Sequence, residues 1–291
     1  MTVTTTMTAT MTTTVTILAF LVAGAAAVRS TWSPCGLSML STITPFGEHA
    51  KGHRYWATAS WFILGATIGG LALGGVMALL AAMVAVIDPT PMTVGAIGLV
   101  SACVVLVSDA GLAGVRLPIH CRQVNERWLD AYRPWVYGAG FGFQIGTGVA
   151  TYITTAAIYL TIAFGTLTGQ PVTALVIGGV FGLARGLAVT LTRRVSTPSA
   201  LLAFHQRFAA LRPRADGGVY AVLVVAVLVL AVAIGFVASL VVLVAVAVGT
   251  VGIRGTRRSQ RTRGHSEGHT GAVEPRDGAG ADTPQPSAVV A

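Results

Sequence analysis

Trp32-Ser33-Pro34-Cys35-Gly36-Leu37-Ser38-Met39-Leu40 closes the first long apolar segment of the chain. Proline interrupts the hydrogen-bond ladder of a helix and frees a carbonyl. Gly36, just after the cysteine, lets another backbone come close. The stretch therefore reads as a broken helix that displays one thiol, Cys35. Inside a bilayer such a break is tolerated only where protein or a water-filled cavity satisfies the freed groups. In transporters, discontinuous helices of this kind form the working site.

The surrounding composition places the break in a membrane. Of the 291 residues 54% are hydrophobic and 10% are charged, whereas a soluble protein carries about 25% charged residues. The mean hydropathy is +0.74, and apolar runs long enough to cross a bilayer recur along the chain. The expected fold class is all-α: a polytopic membrane protein of about six transmembrane helices. Residues 1–14 read as a low-complexity, Thr-rich leader that lacks the basic region of a signal peptide. Residues 15–253 form the transmembrane domain. Residues 254–291 form a basic tail too polar to bury a core, and are expected to be disordered. The net charge of +9 does not point to nucleic acid. The arginines lie between apolar segments and in the tail, where they set orientation, not on a basic face interleaved with aromatics. The partner that composition implies is the lipid bilayer.

The first span runs from about Val15 to Ile43 and carries Arg29, either an interfacial anchor or a cation that favours the Cys35 thiolate. The loop Thr44–Trp56 holds Glu48, His49, Lys51, His53 and Arg54. His49 and His53 could share a helical face, but without a third ligand the loop reads as solvated. The second span, Thr58–Ile87, carries the small-residue pairs Gly65/Gly69 and Gly70/Gly74, which let helices pack closely in lipid. The third, Met92–Leu112, contains Cys103 and ends near Asp109; a membrane carboxylate is a functional candidate. The polar segment 113–134 includes Cys121 and a short interfacial helix over Gln123–Tyr132. The fourth span starts at Trp135 and carries Gly138, Gly142 and Gly146, with a broken helix as the alternative to a plain one. Its Gln144 needs a hydrogen-bond partner at depth. The fifth, Pro171–Leu191, repeats the device at Gly178, Gly182 and Gly186. It also holds Arg185, expected to face the bundle interior, with Asp109 as one candidate partner. A loop over Arg193–Arg214 leads to Val219–Ile253, either one long tilted helix or a tight hairpin.

The loops after spans one, three and five carry the positive charge, so the N-terminus is expected outside a cell membrane. The irregular first and fourth spans point to two inverted three-helix repeats with a site between them. No CxxC pair and no zinc-ligand spacing accompanies the cysteines. No nucleotide-binding fingerprint is present. No metal or cofactor is implied.

In its Ser33-Pro34-Cys35-Gly36-Leu37, its length of about six spans and its glycine-rich fourth span, the chain resembles the cytochrome c biogenesis transmembrane family, the CcdA and DsbD-core group. The resemblance implies two inverted three-helix repeats. It also implies electron transfer from a cytoplasmic thioredoxin-like protein to outside thiol acceptors, through a Pro-Cys in the first helix and a cysteine in the fourth. Cys35 would be the first of that pair. Gly140-Phe141-Gly142-Phe143-Gln144 occupies the place of the second, and Cys121 is the nearest substitute. On this reading the protein is a thiol-disulfide oxidoreductase or electron transporter with Cys35 and Cys121 as its catalytic residues. The alternative, from a different class, is a permease for a small solute or ion without redox chemistry. Pro34, Gln144, Arg185 and Asp109 then form the polar binding site, and Cys35 only packs.

Overall fold

A computed structural model describes residues 2–111, 133–149 and 154–235, with residues 239, 240, 243, 244 and 246 beyond them. The described residues form helices α1 (Thr2–Ser30), α2 (Pro34–Thr42), α3 (Pro45–Ala50), α4 (Tyr55–Ile87) and α5 (Pro91–Asp109). These are followed by α6 (Pro134–Gly146), α7 (Ala157–Leu167), α8 (Pro171–Leu187) and α9 (Pro198–Ile234), with a 3-10 turn over Ala188–Thr192. Among the described residues five helical segments are long and apolar enough to cross a membrane, and α7 is a shorter apolar helix. The protein is an all-α polytopic membrane protein. Cys121 and the interfacial helix expected over Gln123–Tyr132 lie outside the described residues, as does the tail.

A recurring dipeptide starts the helices. Ser33-Pro34, Thr44-Pro45, Thr90-Pro91 and Thr197-Pro198 each place a hydroxyl at the N-cap and proline in the first turn. The hydroxyl accepts from a first-turn N–H, and the proline gives up a donor that would be orphaned there anyway. Pro34 thus marks the start of α2 as much as the end of α1. In the helical Thr-rich N-terminal tract the hydroxyls donate back to carbonyls one turn earlier, as in Thr10 to Thr6 at 2.9 Å and Thr14 to Thr10 at 2.8 Å. Such back-bonding satisfies the hydroxyls without solvent.

Two expected loops are instead helical. Arg207, Arg212 and Arg214 lie within α9, which begins at Pro198 and continues through Pro213. The cap at Thr197 and the run Ala200–Leu211, rich in helix formers, carry the helix across a segment that charge alone marked as loop. The helix ends at Gly235, whose φ of 85° suits glycine. The second case is Thr44–Trp56, which contains α3 rather than a solvated loop.

Two apolar clusters form the interior. One gathers α1, α5, α7, α8 and α9, with the later part of α4. The other joins α2, the start of α4 and α6, with Val189 and Phe208. Helix α4 runs between α6 and α8 and meets both backbone to backbone. On one side, a Cβ at Gly65 would strike the Ala139 backbone, and one at Gly142 or Gly146 would strike Phe62 or Ala66. On the other side, Gly70 and Gly74 face Gly178, Gly182 and Leu175 in the same way. Gly75, one residue on, has open space around it.

Over-packing a tight contact costs about 1–3 kcal/mol. Gly182→Val is expected to lower stability by at least about that amount, measured by reversible unfolding in detergent micelles. Gly75→Ala is expected to leave it unchanged or slightly raised.

Candidate functional site

Helix α1 ends at Ser30, and Thr31–Ser33 is a turn before α2 begins. The turn is closed locally: Ser33 N–H donates to the Ser30 carbonyl at 3.0 Å, and Thr31 N–H to Val28 at 3.1 Å. The Ser33 hydroxyl caps α2 by accepting from Gly36 N–H at 3.1 Å. Gly36 is required here, because a Cβ would overlap the Thr31 carbonyl. The Trp32 indole stacks on Phe208 of α9 with ring centroids 4.2 Å apart, and its N–H donates to the Phe208 carbonyl at 2.9 Å.

A second break lies in the fourth span. Helix α6 ends at Gly146, Gly148 takes a φ of 71°, and α7 begins at Ala157. Arg185 of α8 stands where both breaks meet. Its guanidinium shares a narrow cleft with Ala27, Ser30 and Thr31 of the first break, Gly36 and Met39 of α2, and Ile145 of α6. It lies 5.6 Å from the Phe181 ring centroid. Nη1 would be the third-nearest heavy atom to a Cβ on Gly148. The residue is 3% exposed. Among the described residues nothing accepts a hydrogen bond from Nη1 or Nη2. The cleft is partly open and narrow, with about 180 Å³ of empty space but no room for a water molecule. The last turns of α1 and α6 supply the negative ends of two helix dipoles, which favour a cation, and the ring adds a cation–π contact.

The structure brings Cys35 near Arg185, whereas Pro34 is exposed at the start of α2 and does not line the cleft. Cys35 is fully buried in the second cluster and close enough to Arg185 to feel its charge. Cys103 packs in the other cluster. Gln144 is half-buried on α6, and its carbonyl accepts from the Thr147 hydroxyl at 2.8 Å. Asp109 lies apart from Arg185. Its carboxylate accepts from Thr155 Oγ1 at 2.5 Å and from Ala156 N–H at 2.6 Å, at the start of α7. It shares a small cavity with Arg29, Asp216 and Tyr220. Arg29 is ion-paired with Asp216 of α9, not set beside Cys35.

The sequence reading missed a polar knot around Glu48. This carboxylate is 1% exposed. It accepts from the Tyr137 hydroxyl at 2.7 and 2.8 Å and from Thr58 Oγ1 at 2.5 Å. His53 Nδ1 lies 3.9 Å away, and Lys51 Nζ sits over the Tyr137 ring at 5.6 Å. The Thr44-Pro45 pair was the available signal: read as a helix start, it turns residues 45–50 into a helix able to bury one face.

The chain is 31% identical over 210 residues to the methylamine utilization protein MauF of Paracoccus denitrificans, covering 68% of this chain and 73% of that one. It is 30% identical over 174 residues to MauF of Paracoccus versutus and 29% over 181 residues to MauF of Methylophilus methylotrophus. These two matches span 63% and 61% of the relatives' own lengths. No family model and no solved structure matches. The resemblance to the cytochrome c biogenesis family is thereby corrected, since the relatives carry the MauF name instead. The short motif misled because Ser-Pro-Cys-Gly is here a capped helix start that admits a close carbonyl, and neither feature requires thiol chemistry.

Removing one donor from a buried carboxylate leaves part of its charge unsolvated, at about 1.5–3 kcal/mol for a charged hydrogen bond. Tyr137→Phe is expected to destabilise the protein by that order, with Tyr220→Phe, whose bond to the Asp109 carbonyl is neutral and exposed, costing less. Thermal unfolding in detergent compares the two.

Proposed function

We propose, from the premise that this chain belongs to the MauF family of methylamine utilization proteins, that it serves methylamine utilization as a solute-handling membrane protein rather than through thiol chemistry. Its working group is Arg185 at the meeting of the two broken spans. One observation carries the reading: a guanidinium 3% exposed, with both terminal nitrogens unpartnered among the described residues. A buried charge without a partner costs several kcal/mol, and a residue kept at such a cost within a membrane is a functional candidate. Half-helix ends gathered around a charged group are the arrangement by which discontinuous helices hold solutes and ions. Cys35 contributes the small apolar volume that the second cluster needs beside Met39 and Leu40. Methylammonium is a cation and is repelled by this group, so the solute handled here is not the amine itself.

The test is methylamine-dependent growth of a host that lacks its own relative and is complemented with this chain, with membrane abundance measured by immunoblot. Arg185→Gln is expected to abolish growth at unchanged abundance, and Cys35→Ala to retain it. Growth lost in Cys35→Ala and kept in Arg185→Gln would overturn the reading and return the thiol to the mechanism.

A further inference from the structure

Resting on that reading, we propose that the solute at Arg185 is a small carboxylate monoanion. The two unpartnered nitrogens are Nη1 and Nη2 of one planar guanidinium. Such a fork matches the two oxygens of a carboxylate in parallel hydrogen bonds, a geometry that a spherical halide cannot use in full. One guanidinium balances one negative charge. Among the described residues the cleft holds no second cation, so a dianion such as hydrogen phosphate would remain half-compensated in a low-dielectric site.

The rest of the lining fixes the body of the ligand. Ala27, Met39 and Ile145 are buried and apolar, and suit hydrogen or a short alkyl group. The Ser30 hydroxyl donates to Ala27 at 2.8 Å and the Thr31 hydroxyl to Val28 at 2.5 Å. Their protons are committed to the backbone, so these side chains add no donors that would favour a polyol or a sugar acid. The first turn of α2 presents its positive end on the Gly36 side of the cleft and favours an anion there, while the negative ends of α1 and α6 face the guanidinium. The cleft has no room for a water molecule, so it has to widen for a ligand to enter.

Direct binding to the full chain in lipid nanodiscs tests this, by calorimetry with sodium formate, acetate and propionate against sodium chloride, sodium phosphate and methylammonium chloride. Saturable, mutually competitive binding of the carboxylates alone is expected. Arg185→Lys keeps the charge but loses the fork, and should weaken binding by about tenfold or more; Arg185→Gln should abolish it. If Arg185→Gln fails to fold, the wild-type anion series with Arg185→Lys still decides. No carboxylate binding to wild type, equal binding of chloride or phosphate, or unchanged affinity in Arg185→Lys would overturn the proposal. Loss of growth in Arg185→Gln without carboxylate binding by wild type removes only the ligand class. Unimpaired growth of Arg185→Gln removes the site itself.

Discussion

Helix α4 touches its two neighbours through backbone, and the rest of the molecule is placed by that contact. In lipid the helices gain little from burying apolar surface, since the tails are as apolar as leucine; association depends on close van der Waals contact. Gly65 and Gly69 open one side of α4 to α6, and Gly70 and Gly74 open the other to α8. The two pairs are offset by five residues, so they face different directions, and α4 can be gripped from two sides at once. On α8, Gly178, Gly182 and Arg185 follow the i, i+4, i+7 spacing of one helical face. The stripe that docks α8 onto α4 continues to Gly186, beside Ile63 and Ala66, and Arg185 at its edge is delivered to the interior.

A cation in that position needs the two helix breaks. Unbroken first and fourth spans would surround Arg185 with backbone already paired in its own ladder and with apolar side chains. Ending α1 at Ser30 and α6 at Gly146 turns two last turns toward the interior. The carbonyls there are paired within the turns, and the two helix ends contribute the negative ends of their dipoles. This field lowers the cost of burying the guanidinium without neutralising it, which leaves its hydrogen-bonding capacity for something else. A salt bridge would have consumed that capacity. Carboxylates elsewhere in the bundle are occupied: Asp109 accepts from Thr155 and Ala156, and Asp216 pairs with Arg29.

The membrane class, the glycine stripes and the break at Pro34 were legible in the sequence because each rests on residues close together in the chain. Small residues four apart and a Ser-Pro pair state their consequences locally. The positions of Arg185 and Asp109 were not legible in this way. Each was recognisable as an ionisable residue at depth, but which one meets the helix breaks depends on how α8 and α5 pack, and spacing says nothing about that. Glu48 was missed for a related reason. A carboxylate among His49, Lys51 and Arg54 resembles a solvated loop until a capped one-and-a-half-turn helix rotates it toward Thr58 and Tyr137. The thiol misled in the opposite direction. Cysteine draws attention as chemistry, yet at a fully buried position it also fills space well.

The break in the first span is braced from outside, and this bears on what it can do. Helix α9 holds both of its sides. Before the break, Arg29 pairs with Asp216; after it, Trp32 stacks on Phe208 and donates to its carbonyl. Further along, the Glu48 knot fastens α3 to the first turns of α4 and α6. The anchors are polar and directional, so they fix geometry and not merely proximity. Between them lie the Thr31–Ser33 turn and the nine residues of α2, whose contact with the cleft is made by Gly36 and Met39. Between the anchors α2 is itself packed, with Cys35, Met39 and Leu40 buried in the second cluster. The glycine contacts of α4 with α6 and α8 and these anchors of the break together hold Arg185 in place.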